Sequence, residues 1–92
     1  PKGLPVLEAL AAGVPVVLPR VGAFPEMIER TGGGLLVEPG PANLAAGLAE
    51  LARDPAAARA RGEAGAQGVR RHYTVAAMAD SALEAWRHVL SR

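Results

Sequence analysis

An α/β fold built on a parallel sheet is predicted for this 92-residue chain, and three observations predict it. Helical and strand patterns alternate through its first part, the arrangement of a sheet with crossover helices. The run Val14-Pro15-Val16-Val17-Leu18 is continuously apolar and rich in β-branched residues, as suits a strand covered on both faces. Prolines and glycines punctuate the chain where such elements have to start and stop. The order read is helix, strand, short helix, strand, then three helices, the trailing part of an α/β sheet whose earlier strands lie elsewhere.

The chain is organised around its first element, Gly3-Leu4-Pro5-Val6-Leu7-Glu8-Ala9-Leu10-Ala11-Ala12-Gly13. Pro5 suits the first helical position, where a missing N–H costs nothing. Gly13 suits the end, because glycine tolerates the left-handed cap. Leu4, Leu7, Leu10 and Ala11 recur at helical spacing and predict one apolar face. Glu8 is the only charge inside this helix. Helical side chains lean toward the N-terminus, so its carboxylate is expected near the N–H groups of Gly3, Leu4, Val6 and Leu7. Free donors at a positive dipole end suit a phosphate, and a neighbouring carboxylate suits a ribose diol. The same residues also fit a short helix stabilised by a first-turn glutamate.

Val14 to Leu18 is expected to enter the sheet directly from that helix, with Pro15 at the strand's first positions and Pro19 ending it. Arg20-Val21-Gly22-Ala23 reads as a turn. Pro25 starts a short helix to Glu29 or Arg30, with Glu26 and Glu29 near its positive end. Thr31-Gly32-Gly33-Gly34 breaks it, and Leu35-Leu36-Val37 forms the next strand, stopped by Glu38-Pro39-Gly40. The three glycines do not read as a phosphate loop, because they lead into a strand and not into a helix. Pro41 opens a helix to about Arg53, with Leu44, Leu48 and Leu51 as its apolar stripe. Asp54 and Pro55 supply the cap and first residue of the next helix. That helix is expected to run through Arg70, although Gly62, Gly65 and Gly68 each cost about 1 kcal/mol relative to alanine. Thr74 caps the last helix, Val75 to Leu90, with Met78, Ala82, Leu83, Trp86 and Leu90 on one side.

Composition narrows the function classes. Ten Lys and Arg against nine Asp and Glu leave a net charge of +1, and the arginines are scattered, which argues against a nucleic-acid surface. The absence of cysteine excludes a disulfide framework and a thiolate metal site. No apolar run approaches the roughly 18 residues that span a bilayer, no signal peptide is visible, and the expected location is the cytoplasm. An alanine-rich interior with one Phe, one Tyr and one Trp fills volume thinly, so at most one small domain of modest stability is expected. His72 and His88 lack a carboxylate or second ligand at useful spacing and read as surface or boundary residues. Arg70-Arg71-His72 is too short a basic patch to argue for phosphate or nucleic acid, and Lys2 reads as a solvated lysine.

The segment from Glu8 to Val17, preceded by Gly3-Leu4-Pro5, resembles the C-terminal domain of a family 4 retaining glycosyltransferase of GT-B fold. The likeness continues through Gly22-Ala23-Phe24-Pro25-Glu26-Met27-Ile28, Gly33-Gly34-Leu35-Leu36-Val37 and the helices beyond, so it covers nearly all of the chain. Members carry two glutamates separated by seven residues. Glu8 matches the second, and the first falls immediately before Pro1. Lys2 departs from the pattern, which often has an aromatic residue there.

The resemblance implies that residues 1–92 form a single partial domain, the C-terminal portion of a Rossmann-like nucleotide-sugar-binding domain. The parent would move a sugar from a nucleotide-diphosphate donor to an acceptor with retention, and this piece would not be competent alone. It implies that backbone amides of Gly3 and Leu4 approach the donor's diphosphate and that Glu8 holds the ribose, with no catalytic residue in this stretch. No metal or other cofactor is implied. Glu26 reads as a first-turn stabiliser, with an acceptor-side role as the second reading. The implied partners are a nucleotide-diphosphate sugar and the missing N-terminal domain of the same enzyme, with no nucleic acid. The stripe around Trp86 would pack on that N-terminal domain, or else on this domain's own sheet. Peripheral attachment of the parent to a membrane is a further option. Two alternatives stand beside this reading: a non-catalytic α/β binding or assembly module, self-associating through an exposed strand edge, and a different GT-B enzyme such as an epimerase or a phosphorylase relative. The residue before Pro1 discriminates among them.

Overall fold

The computed structural model describes residues 3–74, 83–84 and 86–91. Its elements in order are α1 (Gly3–Ala11), β1 (Val16–Pro19), α2 (Phe24–Thr31), β2 (Gly34–Val37), α3 (Pro41–Arg53) and α4 (Pro55–His72). The two strands pair in parallel, with Val16 opposite Gly34 and Pro19 opposite Val37. A parallel pair needs a crossover, and α2 supplies it. The α/β expectation therefore holds, and the boundaries shift for local reasons.

α1 starts at Gly3, so Pro5 is its third residue and not its first. That position is equally harmless, since the first N–H groups of a helix have no intrahelical partner. Gly13, at φ 80°, ends it as expected. β1 begins at Val16, two residues after the apolar run does; Val14 is half exposed. Pro15 therefore lies just ahead of the strand, while Pro19 is its last residue. α2 closes on Gly32 in the left-handed conformation, whose N–H donates to the Ile28 carbonyl at 2.7 Å. Thr31 is buried there with both hydrogen-bonding capacities used: Oγ1 donates to the Met27 carbonyl at 2.7 Å and accepts from the Gly33 N–H at 3.2 Å. α4 is capped as predicted, with Asp54 Oδ1 accepting from the Ala57 N–H at 3.1 Å, and it runs two residues past Arg70.

α3 lies against both strands, and its closest approach is at Gly47. A Cβ there would stand 2.6 Å from Val17 Cγ1 and 3.2 Å from Val37 Cγ1. The inward stripe is thus Leu44, Gly47 and Leu51, still at helical spacing. Leu48, expected on that stripe, is 60% exposed. Strand side chains alternate between faces, so Leu18 points away from α3. It is buried with Leu10 of α1, Met27 of α2 and Val69 of α4.

The glycines of α4 explain how those helices come together. Gly62, Gly65 and Gly68 recur every three residues and are all buried. A Cβ at Gly65 would stand 3.0 Å from both Gly33 Cα and Leu10 Cδ2, and one at Gly68 would stand 2.5 Å from Thr31 Cα. What propensity scores as a weakness is the face on which α4 meets α1 and the end of α2. Of the last predicted helix, residues 83–84 and 86–90 are helical, while Val75, Met78 and Ala82 lie outside the described residues. Leu83, Trp86 and Leu90 are 50%, 60% and 67% exposed. Packing of that stripe on this domain's own sheet is not what these three side chains show.

Candidate functional site

α1 is the element that presents the predicted site residues. Its helix begins at Gly3, followed by Leu4 and Pro5, and Pro5 is exposed. With the start at Gly3, the N–H of Leu7 falls within the helical ladder, opposite the Gly3 carbonyl. The donors left open are those ahead of it, fewer than the four expected. Glu8 is exposed, and no ion pair or side-chain hydrogen bond ties it to another described residue.

Glu8 is the sixth residue of α1, so the first turn holds no acidic residue. The reading of Glu8 as a first-turn stabiliser loses its basis, because dipole effects fade within that turn. An exposed carboxylate without a partner among the described residues remains, on a helix whose opposite side is buried. Leu10, two residues on, is 0% exposed. Leu7 is half-buried and Ala11 is exposed, so Ala11 drops out of the predicted apolar face. Such a carboxylate can accept two hydroxyl hydrogen bonds while the helix start offers N–H donors to an anion.

The other candidates are placed as follows. Glu26 stands in the first turn of α2 and pairs with Arg30 at 2.6 Å, both half exposed. His72 is the exposed last residue of α4, beside Arg70 and Arg71 at the negative end of the helix dipole. His88 is helical and exposed. Gly32 caps α2, Gly33 is wedged between Leu10 and Gly65, and Gly34 opens β2, which bears out the rejection of a phosphate loop. Among the described residues no group of three His, Cys, Asp or Glu is placed to hold a metal. Sequence reasoning missed Arg61, whose Nη1 donates to the Gly34 carbonyl at 3.1 Å. Nothing in an alanine- and arginine-rich segment marks that residue out.

Helices packed on a parallel pair form an α/β fold that matches part of a GT-B glycosyltransferase. The fold matches part of the sucrose-phosphate synthase from Thermosynechococcus elongatus with a TM-score of 0.76 and 32% identity, over 97% of this chain and 23% of that one. Residues 1–68 match the family described as Glycosyl transferases group 1, and the chain belongs to that family. It is also 44% identical over 71 residues to a trehalose synthase from Rubrobacter xylanophilus, across 77% of this chain and 17% of the relative. The chain thus spans less than a quarter of the length of either protein. No helix among the described residues is long and apolar enough to cross a membrane.

Proposed function

We propose that this chain is the C-terminal part of the donor-binding domain of a family 4 retaining glycosyltransferase. The whole enzyme transfers a sugar from a nucleotide-diphosphate donor to an acceptor held largely by a separate N-terminal domain. The observation that carries this reading is Glu8, exposed and without a partner among the described residues, on the helix whose start is formed by Gly3 and Leu4. A solvated glutamate on an otherwise apolar helix is accounted for by a ligand better than by packing.

In this reading the backbone N–H groups of Gly3 and Leu4 face the departing diphosphate. They stabilise the charge that grows as the bond to the anomeric carbon breaks, and being fixed they need no reorganisation. The Glu8 carboxylate accepts the two ribose hydroxyls and so holds the donor in register with those amides. Helix-start donors serve the diphosphate without a metal ion. The names of the two relatives, trehalose synthase and sucrose-phosphate synthase, support a sugar as the group handled. Catalytic groups and acceptor contacts come from other parts of the enzyme, so this stretch is inactive by itself.

The test is Glu8→Gln in the intact enzyme, which keeps the shape and removes the charge. Charge-assisted hydrogen bonds contribute about 1.5–3 kcal/mol, so affinity for the donor nucleotide falls roughly ten- to a hundredfold. Calorimetry with UDP, ADP and GDP, beside a thermal melt, reads binding and stability separately. Unchanged affinity in a normally folded Glu8→Gln enzyme removes Glu8 from the site.

A further inference from the structure

We infer that Gly65, acting with Gly33 and Leu10, is a positioning residue that sets how far α1 stands out from the domain and thereby where Glu8 is held. The inference rests on the reading that Glu8 contacts the donor. Leu10 is 0% exposed and is seated on two glycines. A Cβ at Gly65 would stand 3.0 Å from Leu10 Cδ2 and 3.0 Å from Gly33 Cα. A Cβ at Gly33 would collide with Leu10 Cδ2 and stand 2.8 Å from Gly65 Cα. The backbones of the lead-in to β2 and of α4 therefore approach closely, with Leu10 of α1 seated against both.

The direction of this contact matters. Leu10 and Glu8 are two residues apart on one helix, about 200° around its axis. Leu10 points into the glycine seat and Glu8 points to solvent on nearly the opposite side. Anything that thickens the seat pushes α1 along the line from Leu10 to Glu8. The carboxylate moves outward with the helix. A methyl at Gly65 requires its neighbours to give by a few tenths of an ångström. Ligand geometry at a preorganised site is sensitive on that scale, since about 1 Å of misplacement costs on the order of a hundredfold. The effect of α4 on the donor passes through α1.

Gly65→Ala in the intact enzyme is expected to weaken binding of the best nucleoside diphosphate among UDP, ADP and GDP by about three- to tenfold. Leu10→Val shortens the side chain that the methyl introduced at position 65 would press on. Alone it lowers the melting temperature and weakens that affinity less than Gly65→Ala does. The double variant regains affinity relative to Gly65→Ala although it is no more stable. A purely structural role moves stability alone and shows no such recovery. Leu10→Met keeps the core volume and presses on the same glycines from the helix side; its loss of about two- to threefold supplies the reading if Gly65→Ala does not fold. The inference is overturned if folded Gly65→Ala and Leu10→Met bind like the unsubstituted enzyme while Glu8→Gln binds weakly. It falls together with the proposed function if Glu8→Gln itself binds normally.

Discussion

Arg61 donates from Nη1 to the carbonyl oxygen of Gly34 at 3.1 Å, joining α4 to the first residue of β2 across 27 positions of sequence. The neighbouring Gly33 carbonyl accepts from Val16 of β1. Alternation along the strand turns the Gly34 carbonyl the other way, toward α4. A guanidinium thus takes the place a further strand would have filled. Arg61→Met keeps the apolar stem and removes the donor, and stability is expected to fall by about 1–3 kcal/mol in urea denaturation. Arg61→Lys recovers part of that loss.

At Asp54 the prediction concerns a single hydrogen bond. Its carboxylate accepts from the Ala57 N–H at the start of α4, and α4 provides the contact faces for α1 and α2. Asp54→Ala is expected to lower stability by about 0.5–2 kcal/mol, and Asp54→Asn by much less, because both oxygen-bearing side chains cap well. Thermal melts of the two variants check the difference.

Gly68→Ala sets two effects of opposite sign against each other. Helix propensity favours alanine by about 1 kcal/mol. The new methyl, however, would lie 2.5 Å from Thr31 Cα and 2.8 Å from Thr31 Cβ. Overpacking against backbone costs about 1–3 kcal/mol, so the contact wins and the variant is destabilised. Gln67→Ala, exposed on the same helix, is expected within about 0.5 kcal/mol of the unsubstituted protein. Denaturant titration of both separates propensity from packing.

The surface ion pairs are expected to matter little. Arg20 and Glu38 meet at 3.1 Å with side chains 54% and 72% exposed, and Glu26 and Arg30 at 2.6 Å with 58% and 49%. Exposed pairs contribute about 0–1 kcal/mol and are screened by salt. Glu38→Gln and Arg30→Gln should each shift stability by less than about 1 kcal/mol, with the shift shrinking as sodium chloride is raised. A larger, salt-insensitive loss would show that a pair holds its loop in place.

The fold was legible wherever a residue acts through its own backbone. Pro41, Asp54 with Pro55, Gly13 and Gly32 each mark an element boundary through local geometry, and the structure places helix starts or ends there. It was not legible where a residue matters for what passes beside it. Gly47 and Gly65 look like poor helix formers until Val17, Leu10 and Gly33 are brought against them, and those partners are remote in sequence. The same reason misplaced Leu48: spacing allows either Gly47 or Leu48 to face the strands, and only the separation between helix and sheet chooses glycine. At the candidate site, Glu8 was legible as the lone charge on an apolar helix. The seat that holds its helix was not, because it is made of absent side chains.

The pairing of Val16 with Gly34 also determines what the far side of β1 can say to another chain. It turns the N–H and C=O of Val16 and Leu18 toward β2, and those of Val17 and Pro19 away from it. Pro15 and Pro19 have no N–H, so along that outward side Val17 is the single donor, set between two positions that can only accept. The Pro19 carbonyl is already taken by the Val21 N–H at 2.8 Å, so a strand arriving there finds one hydrogen to receive, and sliding by two residues forfeits it. Two copies of β1 laid side by side would offer each other the same shortage. Among the described residues β1 has one strand neighbour, and its other flank behaves as a keyed slot, permissive to one alignment and inhospitable to indiscriminate zippering.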